Sequence, residues 1–107
     1  MTIKHLETEA AFDDALKAAK DKIVIVDFYA DWCGPCKRLA PALEKMAEQH
    51  TNVHFYKVNV EENVAISKRY KISAMPTILF FKSHEQVDKV IGADISKITD
   101  KLEALLK

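Results

Sequence analysis

The chain has no surplus of either charge: Lys and Arg together number 16, and so do Asp and Glu. Domains that grip phosphate backbones carry a basic excess, so nucleic acid is not an expected partner. Long apolar runs are also missing. The longest, Ile23 to Ala30, is interrupted by Asp27 and falls far short of the roughly 20 residues that cross a bilayer, so no membrane contact is expected. Histidine and cysteine are too sparse for a structural zinc site. His5, His50, His54 and His84 lack ligand-like spacing and make no four-ligand set with the two cysteines, and no metal is expected. Repeats, linkers and low-complexity tracts are absent. A chain of 107 residues has room for one core, so residues 1–107 are expected to form one domain. The amino-terminal residues show neither a signal-peptide stretch nor a transit pattern, and a cytoplasmic protein is the expectation. In that reducing compartment a stapling disulfide is not expected, and a close cysteine pair points to redox chemistry.

Hydrophobic periodicity organises what is present. Thr8 can cap a helix with Phe12, Ala15, Leu16 and Ala19 at helical spacing, ended by Asp21-Lys22. Ile23 to Ala30 is β-branched and apolar on both faces, the pattern of a central strand covered on both sides. A long helix follows, with Leu39, Leu43, Met46, Ala47 and His50 on one stripe, Pro35 in its tolerated first turn and Pro41 expected to kink it. Val53 to Val60 reads as a strand. Glu61-Glu62 suits the amino end of a short helix reaching about Tyr70. Thr77 to Phe81 and Val87 to Ile91 read as antiparallel strands around a Lys82 to Gln86 loop. Gly92 breaks the second, and Ile95, Ile98, Leu102 and Leu105 mark a closing helix. This order predicts an α/β fold with a mixed sheet and helices on both faces. A right-handed crossover then sets the amino end of the long helix at the carboxyl edge of the central strand, with Cys33 on an exposed rim.

Cys33 and Cys36 lie three positions apart at a strand-to-helix junction and flank Gly34-Pro35. Unsatisfied N–H groups and the helix dipole favour a thiolate on Cys33, the expected nucleophile. Cys36, one turn further in, is expected to be more buried and to resolve a mixed disulfide on Cys33. Asp27 stands in an apolar strand, where desolvation raises a carboxyl pKa, and is the expected proton acceptor and donor for Cys36. The alternative is an Asp hydrogen-bonded at a strand edge. Lys57 occupies a comparable place in the next strand and could tune Asp27, or lie along the surface with its charge in water. Trp32 reads either as an exposed contact for substrate backbone or as half-buried against the sheet. Met75-Pro76-Thr77 precedes a strand, but because X-Pro bonds are mostly trans the residues alone do not assign a cis bond.

Val26-Asp27-Phe28-Tyr29-Ala30-Asp31-Trp32-Cys33-Gly34-Pro35-Cys36-Lys37 resembles the active-site segment of the thioredoxin family. Ala40-Pro41, Lys57-Val58-Asn59-Val60, Met75-Pro76-Thr77 and Gly92 extend the resemblance across essentially the whole chain. It implies the thioredoxin fold, a central five-stranded mixed sheet flanked by four helices, with a cis bond before Pro76. It further implies that Trp32, Met75, Pro76 and Gly92 hold an extended substrate segment. No bound cofactor is implied; electrons come from NADPH through thioredoxin reductase. Implied clients are of the peroxiredoxin, methionine sulfoxide reductase and ribonucleotide reductase types. Gly34-Pro35 is similar to the reducing members and sets the expected direction, protein-disulfide reduction that maintains cell redox homeostasis. Extra regulatory cysteines found in some relatives are lacking, and a monomer is expected. The chain departs from the family at Lys82-Ser83-His84-Glu85, which lacks Asn-Gly or Asp-Gly, and at Lys71 and Ala74, where glycines are common.

Two other functions fit the same residues. An oxidant or isomerase would need a higher reduction potential than Gly34-Pro35 implies. A binding module would use the fold as a surface and survive replacement of both cysteines by Ser.

Overall fold

The structure is a computed structural model and describes residues 3–107. Thr8 starts the first helix as expected. Its hydroxyl accepts a hydrogen bond from the Ala11 N–H at 3.0 Å, satisfying one of the free donors of α1, Glu9–Ala19. The two-sided apolar run forms β2, Val24–Tyr29. The long helix α2, Gly34–Gln49, continues through Pro41 as one element. β3 (His54–Asn59), α3 (Val64–Arg69), β4 (Thr77–Lys82), β5 (Glu85–Ile91) and α4 (Ile95–Leu106) follow. The first strand, β1, is only Lys4–His5. Two exposed polar residues carry no alternation signal, and β1 exists because it pairs with Tyr56 and Lys57 of β3.

The sheet order is β1-β3-β2-β4-β5. β1, β3 and β2 run parallel, while β4 is antiparallel to β2 and β5 to β4. Alternation along β2 clads both faces. Ile25, with Phe55, Ile78 and Phe80, packs under Leu39, Leu43 and Met46 of α2 and Ile98 and Leu102 of α4. Val24, Val26 and Phe28 pack on the opposite face, against Phe12 and Leu16 of α1 and Ile66 of α3. Asp27 shares the parity of Ile25 and so falls on the α2 side. Phe12 is fully buried, with ring centroids 5.8 Å from Phe81 and 5.2 Å from Tyr70. Truncating such a side chain to Ala costs about 3–5 kcal/mol.

Two local expectations fail. The hairpin loop is not Lys82 to Gln86 but the two residues Ser83-His84, both at positive φ (52° and 73°). That mirror-image turn matches the twist of the strands and lets pairing run out to Lys82 and Glu85. The register shifts between the Phe80–Asp88 and Phe81–Gln86 pairs, so Val87 is the extra residue of a bulge. Glu61-Glu62 does not begin α3. Both residues precede the N-cap Asn63, and their N–H groups donate to the Asn59 side-chain oxygen at 2.9 and 3.4 Å. The Asn59 side chain, not a helix dipole, organises that turn.

Candidate active site

The end of β2 delivers the chain through Ala30-Asp31-Trp32 to Cys33, the N-cap of α2. Cys33 keeps an extended backbone (φ −85°, ψ 107°), which aims its sulfur back over the first turn, where it accepts from the Cys36 N–H at 3.2 Å. This is the geometry of a capping side chain with sulfur in place of oxygen. Free N–H groups and the positive end of the helix dipole both stabilise negative charge there. Cys33 and Cys36 are joined as a disulfide, with Cα atoms 5.3 Å apart.

The exposed rim expected for Cys33 is not what the structure has. Cys33 is 3% exposed and Cys36 4%, so neither is the more accessible of the pair in the disulfide form. Folding the N-cap sulfur over the helix start brings it under Ala30, Tyr29, Val60 and Met75, which pack as one small apolar cluster with the two cysteines. Trp32, the neighbour of Cys33, is 66% exposed, so it is not half-buried against the sheet. Gly34 and Pro35 fill the first turn of α2. A Cβ on Gly34 would meet only the Arg38 guanidinium, at 3.6 Å.

Beneath the pair, Asp27 and Lys57 face each other in register across β2 and β3. Both line a cavity of about 140 Å³ together with Cys36, Tyr29, Lys37 and Ala40. Asp27 is buried, its Oδ1 accepts no hydrogen bond, and β2 lies between β3 and β4 in the sheet, so it is not the strand-edge Asp of the alternative reading. Loss of water pushes its pKa up to about 7, and the Lys57 charge pulls the other way. Lys57 is half-buried, with its ammonium 5.8 Å from the centre of the Tyr29 ring.

The Met75–Pro76 bond is cis. The Pro76 carbonyl accepts from the Gly92 N–H at 2.8 Å, and Gly92 has φ 104°, a conformation that favours glycine. The structure thus joins Cys33, Cys36 and Met75 in one cluster, Asp27, Cys36 and Lys57 around one cavity, and Pro76 with Gly92 by a hydrogen bond. Trp32 belongs to none of these groupings. Tyr29, Lys37, Ala40 and Val60 are additional site residues. Tyr29, Lys37 and Val60 lie within the stretches Val26–Lys37 and Lys57–Val60 and Ala40 in Ala40-Pro41, but no chemistry of their own marks them. Among the described residues no three His, Cys, Asp or Glu side chains are grouped to hold a metal.

Comparison with known proteins gives this geometry a family. The thioredoxin family model matches residues 3–106. Thioredoxin-1 of Saccharomyces cerevisiae is 44% identical over 102 residues, covering 95% of this chain and 97% of its own length. The solved Fasciola hepatica thioredoxin superposes with a TM-score of 0.94 at 34% identity, covering 95% of this chain and 98% of that one. A chain solved in a study of how a yeast mitochondrial 1-Cys peroxiredoxin is resolved via glutathione and thioredoxin systems superposes with a TM-score of 0.90. It is 31% identical, with 96% of this chain and 95% of that one covered. With two cysteines already bonded at a helix amino terminus, the chain belongs to the thioredoxin family and is a thiol–disulfide oxidoreductase.

Proposed function

We propose that the chain reduces protein disulfides, with Cys33 as the attacking and Cys36 as the resolving sulfur. The observation that carries this reading is the N-cap position of Cys33, whose sulfur faces the Cys36 N–H. In the reduced protein the same donors favour a Cys33 thiolate over a thiol. That thiolate attacks one sulfur of a client disulfide. A bond forms between Cys33 and the client, and the client's other sulfur leaves as thiolate. The Asp27 carboxylate takes the proton of Cys36, whose thiolate attacks the Cys33 sulfur. The Cys33–Cys36 disulfide forms, and the second client sulfur departs and is protonated. Two electrons pass from the cysteine pair to the client.

Asp27 suits its part because a carboxyl poised near 7 both accepts and returns a proton at neutral pH. Lys57, across the cavity, keeps that pKa from rising further. Gly34 and Pro35 set the reducing direction. Trp32, Met75, Pro76 and Gly92 form the surface along which an extended client strand lies, and the exposure of Trp32 supports this. Re-reduction uses NADPH through a thioredoxin reductase. Peroxiredoxins are the favoured client class, supported by the likeness to the chain from the peroxiredoxin study; methionine sulfoxide reductases and ribonucleotide reductases complete the proposed set. The protein works as a cytoplasmic monomer.

Insulin disulfide reduction, followed by turbidity with NADPH and thioredoxin reductases of more than one source, tests the reading. Turnover that requires both Cys33 and Cys36 is expected. No turnover, with a pair that dithiothreitol does reduce, overturns it.

A further inference from the structure

A second surface leads away from the cysteine cluster. Val60 and Met75, which pack against Cys33 and Cys36, also floor an open depression of about 520 Å³ whose other walls include Val64, Lys68 and Lys71. Past Lys71 a smaller hollow of about 170 Å³ continues to Lys89 and Ile91 on the outer strand β5. No Asp or Glu lines either depression. Glu61 and Glu62 stand next to Val60 in sequence but outside the lining. Neither Lys68 nor Lys71 forms a salt bridge among the described residues, whereas their neighbour Arg69 is held by Glu9 and Asp13. The surface therefore carries unneutralised positive charge above an apolar floor, and Val64 and Ile91 are 52% and 57% exposed.

The backbone at Lys71 supplies an independent observation. Lys71 N–H donates to the Lys68 carbonyl at 3.1 Å and Ile72 N–H to the Ser67 carbonyl at 2.9 Å, the paired bonds that close a helix through a left-handed residue. That residue is Lys71, at φ 55°. Glycine adopts this conformation without steric cost, and a lysine side chain does not. The helix end thus fixes the backbone of Lys71 and sets its side chain at the junction of the two hollows, which both count it in their lining.

We infer that Lys68 and Lys71 select clients by charge, drawing in an extended segment with Asp or Glu beside its disulfide. The inference rests on the disulfide-reductase reading above. Rim charges of this kind act mainly on encounter and register and are screened by salt.

The test uses two synthetic peptides that share one intramolecular disulfide and differ only in Glu or Gln at the two positions on each side of it. Second-order oxidation of the reduced protein by each peptide gives a Glu-to-Gln rate ratio. The parent is expected to favour the Glu peptide about 2- to 5-fold at low ionic strength, the size of a few exposed charge contacts. The preference should fade at 1 M salt, where screening acts over about 3 Å. In the Lys68→Gln, Lys71→Gly double variant the ratio should fall to about one, while Lys68→Arg holds it. Glycine suits φ 55°, so Lys71→Gly should unfold no earlier than the parent, which separates lost charge from lost fold. An equal ratio in parent and double variant overturns the selection by charge and leaves the reductase reading standing. Failure of the parent to reduce either peptide overturns both.

Discussion

Asp27 and Lys57 sit directly opposite each other on adjacent parallel strands, yet the Asp27 Oδ1 accepts no hydrogen bond. The pair shares a cavity with Cys36. Burial dominates over the lysine's attraction, and the carboxyl is raised from 3.8 to about 7. An acid raised on folding binds its proton more tightly in the native state. Its ionisation therefore removes stability progressively as pH climbs from about 4 to about 7, and the loss is complete above that. The gap corresponds to on the order of 4 kcal/mol. Asp27→Ala is expected to unfold at a higher denaturant midpoint than the parent at pH 8, with the difference shrinking toward pH 4. Equal midpoints at pH 8 would show that Asp27 is not desolvated.

The same substitution should act on one chemical step. With Asp27 gone, formation of the mixed disulfide proceeds, while its resolution by Cys36 slows by about 10²-fold at pH 7, the contribution of a positioned base. Stopped-flow kinetics that resolve the two phases check this. In the parent the resolving phase should accelerate as pH rises through about 7, because only the ionised carboxylate accepts a proton. An unchanged second phase in Asp27→Ala removes Asp27 from the reaction.

Cys36→Ser should accumulate a covalent adduct between Cys33 and a client, stable on a non-reducing gel and dissolved by dithiothreitol. Cys33→Ser should accumulate none, since Cys36 lacks the N-cap environment. Adducts formed equally by the two variants would contradict the assignment of nucleophile and resolver.

Trp32 is two-thirds exposed, so its loss should cost the fold little. Trp32→Ala is expected to stay within about 0.5 kcal/mol of the parent in stability. Its rate with insulin should nonetheless fall several-fold, because an aromatic face that packs on client backbone is gone. Chemical denaturation and the turbidity assay separate the two. A large loss of stability with an unchanged rate would make Trp32 a structural residue.

Ser83 and His84 both hold positive φ in a two-residue turn. The pair Asn-Gly adopts that conformation with less strain. The double substitution Ser83→Asn, His84→Gly should raise stability by about 1 kcal/mol without changing disulfide reduction, a difference that thermal unfolding can read.

Much of this molecule was legible in the order of its residues. Apolar positions at helical spacing located α1, α2 and α4, and the two-sided run from Ile23 located β2, because local periodicity is what burial against a sheet selects. The cysteine pair announced redox chemistry by its spacing, its Gly34-Pro35 and its place at a strand-to-helix junction. Other features depended on contacts distant in sequence. β1 is two polar residues that become a strand only beside Tyr56 and Lys57. Cys33 is covered because Val60 and Met75 arrive from other parts of the chain. Nothing local distinguishes the Ser83-His84 turn from a longer loop; the register of β4 and β5 does so. Asp27 was conspicuous in the sequence as a charge among apolar residues. Its elevated pKa, its register with Lys57 and its place beside Cys36 arise only when two strands and a helix enclose it, since desolvation is a property of the surroundings and not of the residue.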